Sequence, residues 1–374
     1  MTFPCLSREK IISGTRVLLR LDLNVPIKEG KVTDDFRILR SMKTLEFLVS
    51  SGARTVIVAH IDDKEGGTLL PVFEYLKKKF KIEFSSFKEA GRKAAGLTPG
   101  SFLFIENIRE NEGEVENDEA FAKELSMFGS LYINEAFSVS HRPHASIVGV
   151  PKFLPSYAGF LFEEEVRVLS EVFNPPRPFL FILGGAKFET KIPLIQKFLK
   201  LADHCFVGGA LANDFFKVKG FEVGTSRLSE AVIDLSLILS HPKLSIPSDV
   251  VVKSDGGKSI KKPEEVKSTD VIFDAGPKTV EDIKKLILQS KFVLWNGPLG
   301  NYENGFASGT EALACAVSES KCRSIVGGGD TLAVISKLGI LDKFSFVSTG
   351  GGAMLDFLAD ETLPGVIALE KSVG

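Results

Sequence analysis

Apolar runs of strand length, each closed by glycine or a polar loop, recur along this chain. FLFIL (179–183) is unbroken by any polar residue and ends in Gly184-Gly185. Such a run, followed by residues able to start a helix, predicts a buried parallel strand turning into a helix. The pattern returns in HCFVGGALANDFF, FVLWNGPLG, SIVGGGDTLAVISKLG and FSFVSTGGGAMLDFLAD. Several such turns describe a parallel sheet with helices on both faces and a ligand-binding edge at the strand ends. In the first half, RVLLRLDLNVP (16–26) alternates Val17, Leu19, Leu21, Leu23 and Val25 with polar residues. Period two then places Arg20, Asp22 and Asn24 on one face near the end of a strand. TDDFRILRSMKTLEFLVSSG predicts an amphipathic helix capped by Asp34 or Asp35 and stopped at Gly52. RTVIVAH is a second strand, ending on His60, while SFLFIENIRENEGE delivers Arg109 and SLYINEAFSVSHRPHAS delivers His141, Arg142 and His144. Helical DEAFAKELSMFG lies between the last two, so the first half reads as βα units on a largely parallel sheet.

Between the halves, LPSYAGFLFEEEVRVLSEVF predicts a long helix, and the proline-rich NPPRP after it marks a boundary. The expected organisation is a first lobe over 1–154, a connecting helix and linker over 155–178, a second lobe over 179–360 and a tail over 361–374 returning to the first lobe. The fold class is α/β: two Rossmann-like three-layer lobes, each a mainly parallel sheet with helices on both faces, joined by a hinge helix.

These strand ends carry candidate chemistry. A helix starting at the Gly184-Gly185 turn offers unpaired N–H groups and a positive dipole end. If it runs through Lys187 and Lys191, their i, i+4 spacing sets two ammonium groups on one face. A plain strand-helix turn with solvated lysines fits the same letters. Arg37 falls in the first turn of its helix, where the dipole disfavours a cation, so a nearby acid or a ligand anion is expected there. Because parallel strands all end on one edge, His60, Arg109 and Arg142 converge with Asp22, Asn24 and Arg37 into a basic pocket. Asp330, after Gly327, Gly328 and Gly329, is either a helix N-cap or a ligand for Mg²⁺ beside a nucleotide phosphate. Glu303 either accepts ribose hydroxyls or faces water.

At 374 residues the chain suits two domains, and 44% hydrophobic with 25% charged residues is a globular composition. A net charge of −2 supplies no overall attraction for nucleic acid or an anionic membrane, so neither is an expected partner and anions must be held locally. Cys5, Cys205, Cys315 and Cys322 form no CxxC pair and read as buried thiols of a reducing compartment. With no signal-peptide pattern and no apolar run long enough to span a bilayer, the expected location is cytoplasmic. No GxxxxGK[ST] motif occurs, and no well-placed GxGxxG. The 30 phenylalanines suggest only core filling.

RLDLNVP, DDFRI, the strand ending in His60, IENIRENEGE, NEAFSVSHRPHAS, LGGAKFETKI, DAGPKT, WNGPLGNYE, FASGT, GGGDT, STGGGA and LPGV stand in one order from about Arg16 to Val366. In that order they resemble the phosphoglycerate kinase family over nearly the whole chain. The resemblance implies reversible transfer of a phosphoryl group from 1,3-bisphosphoglycerate to ADP, giving 3-phosphoglycerate and ATP. It implies Mg²⁺, closure of two lobes about a hinge and a monomer. Asp22 and Asn24 would hold the glycerate; His60, Arg109 and Arg142 its non-transferred phosphate. Arg37 would also bind substrate and, with Lys187, stabilise the group in flight, aided by backbone N–H groups of Gly350, Gly351 and Gly352. Gly185, Lys191, Gly209, Asn296, Glu303, Gly329, Asp330 and Thr331 would serve the nucleotide, Asp330 also the metal. The chemistry fits, since a phosphate oxygen attacks, a carboxylate leaves and no strong general base is required.

The chain departs from the family pattern where SHLGRP becomes AHIDDK, setting Asp63 in place of a phosphate-binding arginine unless Lys64 substitutes for it. Glu135 replaces the aspartate of NDAFG, and SVSHRPHAS stands for GTAHRAHAS. These changes keep two alternatives in view: a non-catalytic or regulatory nucleotide-binding protein on the same fold, or a kinase for a different small acid.

Overall fold

The computed structural model describes residues 3–62, 67–186, 188, 191–230, 235–254 and 256–372. Asp63, Lys64 and Lys187 lie outside the described residues. The chain divides into unit 1, Met1–Arg167 with Asp360–Gly374, and unit 2, Val168–Ala359.

In unit 1, strands β1 (Arg16–Arg20), β2 (Arg54–Val58), β3 (Ile82–Ser85), β4 (Phe102–Ile105), β5 (Leu131–Asn134) and β6 (Ser156–Ala158) form one sheet. Their order is β3-β4-β2-β1-β5-β6, with every pair parallel. Both faces of this sheet are covered. Val17 and Leu19 pack with Leu45, Ile57 and Phe104, while Leu18 packs with Val56, Leu103 and Tyr132 in a separate cluster. A doubly covered parallel strand has no solvent face, which corrects the expected polar face of residues 16–26. Strand β1 ends at Arg20, whose side chain is fully buried, and Asp22 and Asn24 follow in the loop.

Helix Phe36–Ser50 buries Ile38, Met42, Leu45 and Leu48 at helical spacing. Asp34 accepts the Phe36 N–H at 2.9 Å, whereas Asp35, at the N-cap, receives the Tyr75 hydroxyl at 2.7 Å. The single long helix expected after Leu154 is shorter: Ser156–Ala158 adds an edge strand beside β5, and only Phe160–Ser170 is α-helical. Gly159 separates the two, and the Glu135 carboxylate occupies the space a β-carbon would need there. Phenylalanines fill the sheet faces, Phe84 lying 5.2 Å from Phe73 and 5.8 Å edge-on to Phe104.

In unit 2, strands β7 (Phe179–Leu183), β8 (His204–Val207), β9 (Leu244–Ser245), β10 (Val250–Ser254), β11 (Gly257–Lys261), β12 (Val271–Ala275), β13 (Phe292–Asn296), β14 (Arg323–Gly327) and β15 (Phe346–Val347) make two sheets. One is parallel throughout, in the order β9-β8-β7-β13-β14-β15. The order reverses between β7 and β13, which makes the ends of those strands the expected ligand edge. The second sheet, β11-β10-β12, is antiparallel and has no counterpart in the sequence reading. Strand β11 exposes four of its five residues, so no apolar alternation announces it. Cys5 and Cys205 are buried as expected, whereas Cys315 and Cys322 are only half-buried.

No helix among the described residues is long and apolar enough to cross a membrane.

Candidate active site

The loops after β1, β2, β4 and β5 leave the same sheet edge and gather the predicted acid- and phosphate-binding residues of unit 1. Asp22 closes its own turn by accepting the Asn24 N–H at 3.0 Å, and its other oxygen lies 2.5 Å from Arg37 Nη1 and accepts the Ser138 hydroxyl. The acid expected near Arg37 is therefore Asp22. His60 is buried two residues beyond β2, with Nδ1 3.2 Å from Arg20 Nη2. A guanidinium can only donate, so Nδ1 accepts and the neutral ring carries its proton on Nε2. Burial, reinforced by the charges of Arg20 and Arg109, drives the His60 pKa well below the usual histidine value.

Arg109 sits in a short 3₁₀ turn, Ile108–Glu110, and reaches Asp62 through Nη1. Partial burial opposes ionisation of Asp62, but the hydrogen bond and charge of Arg109 prevail and hold its pKa below the ordinary carboxylate value. The charge of Arg142 acts on Asp62 in the same sense, which places Arg142 with this group. Behind it, Arg20 Nε donates to Ser146 Oγ at 2.8 Å, and Ser146 Oγ donates to the buried Glu114 at 2.6 Å. The sequence reading passed over Asp62, Ser138 and Glu114. An acid two residues beyond a strand-ending histidine was the available signal for Asp62.

Glu135 points away from this edge. Its carboxylate accepts from Leu161 N at 3.1 Å, Phe162 N at 3.2 Å and the Thr44 hydroxyl, so it caps the helix that begins at Phe160.

In unit 2 the turns after β7, β8 and β13 pack backbone against backbone. Gly184 N donates to Asn296 O at 2.8 Å and Gly185 N to Pro298 O at 2.9 Å. A β-carbon on Gly184 would fall on the Pro298 carbonyl. Two expectations are corrected here. The Gly185 N–H is already paired, and the following helix, Ile192–Leu201, starts only after Lys191 because Pro193 suits its first turn. Lys191 is the N-cap of that helix, and the expected face shared with Lys187 falls on a residue outside those described. The buried Lys191 instead turns back, Nζ donating to Gly184 O at 2.5 Å.

Gly185, Gly209, Glu303 and Asp330 line a cavity of about 230 Å³ at this edge, with Asn213 and Tyr302, which the sequence reading omitted. Asn213, a polar residue among the buried apolar positions of helix Leu211–Val218, was a readable signal. Helix Gly329–Lys337 is capped by Gly328, so Asp330 lies in its first turn and is not the N-cap. Its exposed carboxylate on the cavity wall matches the way Mg²⁺ is held, by one or two carboxylates with phosphates and water. Asn296, at the end of β13, is buried against Gly328, and Thr331 is buried beside Asp330, its hydroxyl without a hydrogen-bond partner among the described residues. Gly351 takes φ +53 immediately before helix Gly352–Asp360.

A sequence model of the phosphoglycerate kinase family matches residues 8–361. The phosphoglycerate kinase of Dictyoglomus turgidum is 38% identical over 385 residues, covering 97% of both chains. The solved structure of the phosphoglycerate kinase of Coxiella burnetii superposes with a TM-score of 0.84 at 36% identity, covering 98% of each chain. That from Pyrococcus horikoshii OT3 gives 0.86 at 30% identity, again covering 98% of each.

Proposed function

The chain belongs to the phosphoglycerate kinase family, and we propose from that premise how its own residues divide the work of a phosphoryl transfer between an acyl phosphate and ADP. It is a kinase that uses ATP and ADP as substrates. Its other substrates are 3-phosphoglycerate and 1,3-bisphosphoglycerate. An oxygen of the ADP β-phosphate attacks the acyl phosphorus, the P–O bond to the carboxyl group breaks, and no proton has to move. Catalysis then rests on alignment and on charge held around the moving group.

The observation that carries the assignment is the set of donors at one sheet edge of unit 1, where Asn24, His60 and Arg109 surround a single anionic carboxylate. Asp22 and Asn24 hold the glycerate end. Neutral His60 presents Nε2–H, with Arg109 and Arg142, to the phosphate that stays. Arg37, oriented by Asp22, bears on the transferring group, as does Lys187, and the backbone around Gly351 and Gly352 adds donors at the start of a helix. The nucleotide takes the cavity of Gly185, Gly209, Glu303 and Asp330, supported by Lys191, Asn296, Gly329 and Thr331. Asp330 would hold Mg²⁺, which supplies charge neutralisation of the phosphates when bound. The protein acts as a cytoplasmic monomer.

The non-catalytic alternative is not favoured, because the family match extends over both units, from residue 8 to residue 361. The deciding assay couples the protein, with MgATP and 3-phosphoglycerate, to NADH oxidation through glyceraldehyde-3-phosphate dehydrogenase. Absence of turnover in a folded sample overturns the reading.

A further inference from the structure

We propose that Asp62 is a built-in counter-anion of the phosphate subsite and sets that subsite's affinity for the phosphorylated acid. The inference rests on the assignment of His60, Arg109 and Arg142 to the non-transferred phosphate. The Asp62 carboxylate already faces two of the donors assigned to that phosphate, Arg109 and His60, together with Asn24 from the glycerate end. One oxygen is paired with Arg109 Nη1; the other accepts from Asn24 Nδ2 at 3.4 Å and lies 4.0 Å from His60 Nε2. The same Asn24 side chain also holds the loop backbone, Asp62 N donating to Asn24 Oδ1 at 3.2 Å. The two carboxylate oxygens thus stand where phosphate oxygens would stand, between Arg109 and His60, two of the three side chains assigned to that phosphate.

This carboxylate is ionised at neutral pH, because Arg109 outweighs its partial burial. An incoming phosphate therefore meets a negative charge at its own subsite. It must either displace Asp62 from Arg109 or bind beside it, and both routes weaken binding. Displacement is feasible: the Asp62 side chain is 52% exposed, whereas that of Arg109 is 11% exposed. The arginine stays in place and the aspartate can swing into water. An ion pair with one partner so exposed adds little to stability, so the fold does not depend on it. Asp62 thus acts as a gauge on substrate charge, keeping Arg109 neutralised until a stronger, bidentate anion takes over.

The test compares Asp62→Asn, Asp62→Ser and Arg109→Ala with the parent chain. Three quantities are read: the KM for 3-phosphoglycerate, inhibition by inorganic phosphate as a probe of the subsite, and the KM for MgATP. Removing the charge is expected to lower the KM for 3-phosphoglycerate and the inhibition constant of inorganic phosphate together, each on the order of tenfold. The KM for MgATP stays unchanged. Asp62→Ser gives the same shift, since loss of charge and not the shape of the amide is responsible, and it serves where the asparagine variant folds poorly. Arg109→Ala raises the KM for 3-phosphoglycerate. Unchanged or raised values in both Asp62 variants, with Arg109→Ala still harmful, overturn the counter-anion role alone. If Arg109→Ala also leaves 3-phosphoglycerate untouched, the subsite assignment falls and the proposal falls with it.

Discussion

Arg37 and Asp22 meet at 2.5 Å, tying the first turn of helix Phe36–Ser50 to the loop after β1. A cation in a first helical turn works against the helix dipole, and the Asp22 carboxylate offsets that cost while aiming the guanidinium. With Arg37 assigned to the transferring phosphoryl group, Arg37→Ala is expected to lower kcat about 10²–10³-fold, as loss of one preorganised charge donor does elsewhere. The nucleotide KM changes little, because the contact strengthens only in the transition state. Asp22→Asn keeps the arginine but loosens its aim, so its effect on kcat is smaller. The coupled assay separates the two variants. A rise in KM with kcat intact would assign Arg37 to ground-state binding.

Glu135 gives a pH dependence of stability. Burial is the largest influence and pushes its pKa from 4.5 up to about 7, against the hydrogen bonds of Thr44, Leu161 and Phe162 that favour the ionised form. Between those values the folded chain retains a proton that the unfolded chain has released. Stability contributed by the neutral form is therefore complete below pH 4.5 and lost as pH rises through about 7. Glu135→Gln cannot titrate. Urea unfolding at pH 5 and pH 8 should show the parent losing about 3 kcal/mol relative to this variant. A constant difference between the two proteins would mean that Glu135 is ionised throughout.

Gly184 and Gly351 are required for different reasons, and alanine distinguishes them. At Gly184 a β-carbon overlaps the Pro298 carbonyl and lies 2.6 Å from Gly297 O and 2.9 Å from Gly297 C, so its three nearest neighbours are all backbone atoms. At Gly351 no atom of the described residues lies within 4 Å of such a β-carbon, and the φ of +53 is what disfavours a side chain. Gly184→Ala should cost about 3 kcal/mol or more and Gly351→Ala about 1 kcal/mol. Thermal denaturation that ranks them in the reverse order contradicts the packing of the β7 and β13 turns.

The elements legible in advance were those whose signal is local. The apolar runs of β1, β2, β4, β5, β7 and β13 and the spacing of helix Phe36–Ser50 come from residues close in sequence, as do the glycine turns. What escaped depends on partners distant in the chain. Strand Ser156–Ala158 reads as helix until Tyr132 and Ile133 offer it an edge, and β11 has too polar a surface to be noticed alone. The spacing of Lys187 and Lys191 does not mark where helix Ile192–Leu201 starts, whereas Pro193 stands in its first turn. Asp63, the charge reversal that motif alignment points to, lies outside the described residues, while the pairing of Arg109 with Asp62 depends on two loops 47 residues apart in the chain.

Arg20 is the remaining case, a fully buried guanidinium whose support is shared by several groups. Burial lowers its pKa most, and the charge of Glu114 is the leading influence in the opposite direction. Ser146 links the two, accepting from Arg20 Nε at 2.8 Å and donating to Glu114 Oε1 at 2.6 Å, while its N–H donates to Glu114 Oε2 at 2.8 Å. Removing Glu114 leaves an uncompensated charge in the core, and Glu114→Ala should cost about 3–5 kcal/mol. Ser146→Ala removes only a relay and leaves its partners short of one hydrogen bond each, about 1–3 kcal/mol. Arg20→Met combined with Glu114→Gln deletes both charges at roughly constant volume, and should therefore lie closer to the parent than Glu114→Ala does. Denaturant midpoints give the order directly. A double variant less stable than Glu114→Ala would show that Arg20 is held mainly by His60 and the Leu21 carbonyl, its other recorded partners.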